Sequence, residues 1–158
     1  TDQQNPWCTD WAIFWQQARL APQLTWAKSK LNSEDIRSLK QILDAVPNLL
    51  ANHKPICALT HGDLWSGNMA ETIEGQPALF DPALYYGDRE TDLAMTELFG
   101  GVSPSFYQAY NSLWPLDSGY ELRKLLYNLY HLLNHLNMFG TDYLTATRDL
   151  INELRAHL

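Results

Sequence analysis

Apolar side chains recur at helical spacing along most of this chain, and one stretch near its middle breaks the rhythm. Trp11, Phe14, Trp15 and Ala18 fall at i, i+3, i+4 and i+7, which predicts a first helix capped by Thr9 and closed by Pro22. Ser33, followed by Glu34 and Asp35 in a first turn that favours negative charge, opens a second helix whose Ile36, Leu39, Leu43 and Val46 share one face until Pro47. The helical period returns after Gly87, from Arg89 to Phe99 with Asp88 as N-cap and Gly100 and Gly101 as its end. It continues from Pro104 to Trp114, with Ser103 before a first-position proline. The longest helix is predicted from Glu121 to Phe139, where leucines from Leu122 to Leu136 form a continuous stripe and Gly140 takes a left-handed C-cap. A last helix from Asp142 to His157 puts Leu144, Thr147, Ile151 and Leu154 on one side and leaves Arg148, Asp149 and Glu153 to solvent.

The break runs from Pro55 to Asp81. Ile56 to Thr60 is a short apolar, β-branched run, and His61 to Asn68 is polar with two glycines. With Glu74 and Gly75 as the two turn residues of a hairpin, Ile73 faces Gln76, Thr72 faces Pro77, Met69 faces Phe80 and Asn68 faces Asp81. Pro77 then occupies a non-hydrogen-bonded position, where its missing N–H costs nothing. Glu74 does not suit the left-handed first position of such a turn, so a type II turn or a longer loop, with a shifted register, is the alternative.

Composition narrows the classes. The chain has 158 residues, 46% hydrophobic and 12% aromatic, enough for one domain with a true core, and no repeat or low-complexity tract divides it. A net charge of -7 argues against nucleic acid as the main ligand. The absence of a long apolar run and of a basic, apolar leader predicts a soluble, cytoplasmic chain with no membrane partner. Cys8 and Cys57 stand alone and read as free thiols in a reducing compartment.

Chemistry concentrates in the break. Asn68 and Asp81, opposed across a hairpin, suit a hard cation such as Mg2+ that wants oxygen ligands and keeps some of its waters. Asp63, at the start of the same loop, is then placed to orient an attacking hydroxyl and accept its proton, as a lone carboxylate does in phosphoryl transfer. The plainer readings are a loop carboxylate capping amides for Asp63 and a turn-forming residue before Pro82 for Asp81; the joint spacing favours the functional one.

The strings that carry this chemistry resemble a known family. His61-Gly62-Asp63-Leu64-Trp65-Ser66-Gly67-Asn68, Phe80-Asp81-Pro82-Ala83-Leu84-Tyr85-Tyr86-Gly87-Asp88-Arg89-Glu90, Asp92-Leu93-Ala94-Met95 and Leu98-Phe99-Gly100-Gly101 are similar to the fructosamine and ketosamine kinases, relatives of the aminoglycoside and choline kinases. The likeness extends through Ser105-Phe106-Tyr107-Gln108-Ala109-Tyr110 and Leu133-Asn134-His135 to Phe139-Gly140. It implies a mainly α fold with a small β-hairpin, the helical C-terminal lobe of a protein-kinase-like architecture, spanning residues 1–158 as one domain with a catalytic loop at 60–68 and a metal-binding segment at 80–88. It also implies ATP-dependent phosphorylation of a sugar hydroxyl on a small-molecule or protein-bound ketosamine, a deglycation repair step. Asp63 matches the family's catalytic aspartate, and Asn68 and Asp81 match its metal-binding pair.

The family's N-terminal lobe, with its glycine-rich loop and strand lysine, has no counterpart in these residues, so the chain alone is expected to show no kinase turnover. The rival readings are a related aminoglycoside- or choline-type kinase and a non-catalytic fragment that binds a ligand or partner; self-association through a face left open is a further expectation. Trp65 and, by the resemblance, His135 are candidate sugar contacts. His61, Asp88 and Asp92 read as structural support for the loop, and Tyr85 and Tyr86 as either substrate-mouth or turn-packing aromatics. His131 and His135 lack a third ligand for zinc, and with Lys124, Tyr127 and Asn128 they predict a polar stripe flanking an open cleft.

Overall fold

A computed structural model describes residues 1–158, and the chain divides into two compact units, one of residues 1–55 and 125–158 and one of residues 56–124. The fold is mainly helical with two small antiparallel strand pairs. No helix is long and apolar enough to cross a membrane. Cys8 and Cys57 are free and exposed.

In the first unit, α1 (Trp11–Phe14) passes through a π-helical segment (Trp15–Leu20) into α2 (Ala21–Ala27), and Asp10 rather than Thr9 is the N-cap, its carboxylate accepting from Ile13 N–H. Pro22 therefore does not close the helix. The π turn is carried by a bond from Ala21 N–H to the Gln16 carbonyl, and the Ala18 carbonyl, which Pro22 cannot serve, accepts from Arg19 Nη1 at 3.3 Å. Helix α3 (Ser33–Leu49) begins at Asn32, which forms a capping box with Asp35, and it continues two residues past Pro47. The Leu43 carbonyl, which Pro47 leaves without its helical donor, accepts instead from Gln16 Nε2 at 2.8 Å. Trp15, Leu24, Ile42, Val46, Leu129, Leu133 and Leu154 are among the buried side chains of this unit's core.

Helix α6 (Tyr120–Phe139) ends on Gly140 with φ +93°, and a short 3-10 turn (Thr141–Tyr143) precedes α7 (Leu144–Arg155), so the last helix starts at Leu144, its first apolar position, and not at Asp142. Of the polar stripe on α6, Tyr127, Asn128 and His131 are buried, while Lys124 and His135 are half-buried. Trp11 Nε1 donates to the Tyr127 hydroxyl at 2.9 Å and the Trp15 ring meets the Tyr127 ring edge-on at 4.7 Å. Aromatic packing from the first helix has taken up that face.

In the second unit, β1 (Ala58–Thr60) pairs antiparallel with β4 (Tyr85–Gly87), and β2 (Met69–Glu71) pairs with β3 (Pro77–Leu79). The observed register is Met69 with Leu79, Ala70 with Ala78 and Glu71 with Pro77, one residue away from the predicted pairing. The loop holds three residues, not two. Thr72 N–H donates to the Gln76 carbonyl at 2.8 Å, Gly75 takes φ +78°, and the Thr72 hydroxyl accepts from both Glu74 N–H and Gln76 N–H. Helices α4 (Glu90–Leu98) and α5 (Pro104–Leu113) follow, and the unit closes at the start of α6. There Arg123 makes a bidentate, buried pair with Glu90, at 2.6 and 2.8 Å.

Candidate active site

The site is built in the loop that leaves β1. Thr60 is buried at the strand's end, its hydroxyl donating to the Tyr85 carbonyl at 2.8 Å, and Tyr85 is itself buried with its hydroxyl on Thr91. Tyr85 is thus a packing residue, while Tyr86 beside it is exposed. The next two backbone amides are taken by one side chain. His61 N–H donates to Asp92 Oδ2 at 2.7 Å and Gly62 N–H to Oδ1 at 2.8 Å, which ties the loop to α4. Burial raises the Asp92 pKa above its ordinary value, outweighing the two amides and the nearby His61.

Gly62 is held at φ +81°, and a Cβ built there would lie 2.0 Å from the Ala83 carbonyl oxygen, so only glycine fits. That approach is fixed from the other side by Ala83 N–H, which donates to the His61 carbonyl at 2.8 Å. The His61 ring bridges the two segments: Nε2 lies 3.0 Å from the Phe80 carbonyl and Nδ1 accepts from Asp63 N–H at 3.4 Å, an assignment that puts the ring proton on Nε2. His61 is therefore a structural brace.

Asn68 is buried, and its Nδ2 donates to both the Asp63 carbonyl at 2.9 Å and Asp63 Oδ2 at 3.0 Å. Only the amide nitrogen can make both bonds, so its orientation is determined and Oδ1 is the atom left for a cation. Asn68 faces Phe80 across the hairpin, not Asp81: Phe80 N–H donates to the Asn68 carbonyl at 3.2 Å. Asp81 follows directly, exposed and at φ +53°, the sole non-glycine residue with positive φ. A regular strand would turn it to the face opposite Asn68; the left-handed conformation removes it from strand alternation, and such backbone strain is characteristic of sites that need a side chain re-aimed.

Trp65 folds back over Gly67, where a Cβ would meet its Cζ2 at 2.2 Å, and its ring lies edge-on to Phe99 at 6.5 Å. Held from behind, it keeps 39% of its surface exposed. Asp88 is buried and its Oδ1 accepts from Glu90 N–H at 3.0 Å, a capping role at the start of α4. The second unit thus holds His61, Asp63, Trp65, Asn68, Asp81, Asp88 and Asp92. His135 belongs to the first, where its Nδ1 lies 2.8 Å from the His131 carbonyl and its ring packs on Phe139 and Tyr143. The Ala83 carbonyl over Gly62, Phe99 against Trp65, and the Glu90–Arg123 pair are parts of the site's frame that local patterning does not reveal, because each joins residues distant along the chain.

Comparison with known proteins relates the chain to one family. A family model described as fructosamine kinase matches residues 1–157. Among curated relatives, a "Probable ketoamine kinase" of Vibrio cholerae is 46% identical over 157 residues, covering 99% of this chain and 54% of the relative. The ketosamine-3-kinase of Mus musculus is 40% identical over 153 residues, 96% of this chain and 49% of its own length. Crystal structures of candidate fructosamine-3-kinases from Haemophilus somnus and Thermobifida fusca each superpose with a TM-score of 0.85 at 35% identity, over 96% of this chain and 52% of theirs. The chain spans about half the length of the curated relatives it matches.

Proposed function

The chain belongs to the fructosamine kinase family, and from that membership we propose that it is the catalytic portion of an ATP-dependent kinase that phosphorylates a sugar hydroxyl of a ketosamine. Its architecture is then that of a protein-kinase-like C-terminal lobe, and phosphorylation would destabilise the adduct and free the amine. The observation that carries the reading is the Asn68 amide bonded to the Asp63 carboxylate within a loop fixed by Asp92, Gly62 and His61.

Asp63 accepts the proton of the attacking hydroxyl as its oxygen turns to phosphorus, and Asn68, donating to Oδ2, holds the carboxylate in one orientation. Asn68 Oδ1 and the Asp81 carboxylate form an oxygen donor set of the hard kind that Mg2+ prefers, and both would hold it. When bound, the ion neutralises charge on the phosphates of ATP. Trp65 offers a ring face to the CH groups of the sugar, and His135 is a second candidate contact.

The test is ADP release with a fructosyl-lysine acceptor, run on this chain alone and on a fusion that supplies the half of the Vibrio cholerae relative it does not match. Transfer is expected in the fusion and negligible in the chain alone, since positioning the triphosphate takes groups beyond these motifs. Asp63→Asn should lower kcat by about a hundredfold or more while leaving nucleotide affinity near that of the parent. An Asp63→Asn fusion as active as its parent rejects the assigned base.

A further inference from the structure

We propose that the groove between α5 and the start of α6 seats a lysine-rich polypeptide segment adjoining the adduct, so that the chain selects its acceptor by the charge around it. This deepens the kinase reading and rests on it for the identity of the acceptor. Helix α5 carries Phe106, Tyr107 and Tyr110 on neighbouring turns, yet none of its residues is fully buried, so its aromatic face is only partly covered within the unit. Beside it lies an open groove of about 620 Å³, lined by Glu97, Tyr107, Gln108, Asp117, Tyr120 and Glu121.

Charge and shape select the occupant. Lys124 is shared between Glu97 at 2.8 Å and Glu121 at 2.6 Å, and the Arg123 guanidinium is committed to Glu90, so the carboxylates of the groove outnumber the cations that serve them. Tyr120 donates to Glu97 at 2.7 Å, and burial, followed by the neighbouring carboxylates, keeps its phenol neutral well above the usual range. Tyrosine faces with carboxylates beyond them suit lysine side chains, whose methylene stems lie on rings while the ammonium reaches the acid. A chain with net charge -7 also attracts such a segment at long range.

The groove and the catalytic loop are both attached to helix α4. Helix α4 bonds the catalytic loop through Asp92, and Glu97 lies five residues further on, about 7.5 Å along the axis. Tyr107 is anchored to the same helix end, its hydroxyl 3.0 Å from Thr96 Oγ1, and Phe99 just beyond meets Trp65. An extended polypeptide advances about 3.3 Å per residue, so lysines a few positions from the adduct reach from Trp65 to the groove.

The experiment measures binding to this chain, by fluorescence anisotropy, of a peptide with one fructosyl-lysine among lysines, its counterpart among glutamates, the unglycated form of each, and free fructosyl-lysine as competitor. The lysine-flanked peptides are expected to bind about tenfold more tightly than the glutamate-flanked ones, with or without the sugar, and to lose that preference as salt is raised. Asp117→Asn with Glu121→Gln should weaken the lysine-flanked peptide about fivefold. Gln108→Lys, which removes no bond of the fold, should do the same by repulsion. Equal binding of the two flanks, unchanged affinity in both variants, or competition by free fructosyl-lysine as strong as by the lysine-flanked peptide overturns the proposal. If the flank preference holds while no adduct is phosphorylated by the fusion, the groove stands and the kinase reading falls.

Discussion

Gly62 is the position at which one atom matters most. A β-carbon would sit 2.0 Å from the Ala83 carbonyl oxygen, at a φ of +81° that side chains resist, and neither neighbour can move because each is bonded to the other's segment. Gly62→Ala is expected to cost about 2 to 4 kcal/mol, read as a fall in the denaturant midpoint without a change in slope. An unchanged midpoint shows that the loop has room to shift. Asp92 acts from the opposite side of the same loop by accepting two amides with two oxygens. Asp92→Asn keeps one acceptor and turns an NH2 against the other amide, so about 1 to 3 kcal/mol should be lost. Because Asp92 positions the loop and touches no substrate, kcat of the fusion should fall with KM nearly constant.

At the scale of elements, the sequence patterning locates the helices apart from α2, which it ends at Pro22, and its errors have local causes. Prolines read as stops because they lack a donor and crowd the preceding turn, but Pro47 sits inside α3 since Gln16 supplies the missing donor to Leu43. Pro22 follows a π turn, a widening that no residue-spacing rule anticipates. The hairpin slipped by one residue because the Thr72 hydroxyl stabilises a three-residue loop, and Thr72 with Gly75 is the signal that selects it over a two-residue turn. The pairing of β1 with β4 is invisible locally, as its strands lie on either side of the whole hairpin. The frame of α4 rests on another distant pair. Glu90 and Arg123 are both buried, so Glu90→Gln strands a guanidinium and should cost about 3 to 5 kcal/mol, whereas Glu90→Leu with Arg123→Met should cost less than the single change. Equal or greater loss in the double variant, by equilibrium unfolding, shows that the pair itself stabilises the unit.

For the molecule as a whole, the residues proposed for the site lie in two contiguous strings and so could be named from the sequence, while the division into two units could not, since the boundary at Leu125 falls within the unbroken leucine stripe of α6. The pH dependence of the fold follows from a group buried in the first unit. His131 has its Nε2 buried without a hydrogen-bond partner, and burial first, then the charges of His135 and Arg19, pushes its pKa from 6.5 down to about 3. Between those values the unfolded chain takes up a proton that the folded chain refuses. Stability from this group is therefore full above pH 6.5 and is lost as pH falls toward 3, by at most about 1.4 kcal/mol per unit. Asp92 acts in the opposite sense, since a raised carboxyl pKa favours the folded state at low pH and loses that advantage as pH rises above 3.8. The two are separable by substitution. His131→Phe fills the same space, removes the titration and leaves no orphaned nitrogen, so its unfolding free energy should match or exceed the parent's at pH 8 and decline less steeply below pH 6.5. An acid limb as steep as the parent's, measured by urea unfolding at successive pH values, would assign acid sensitivity to other groups and show that the His131 ring finds a proton acceptor when charged.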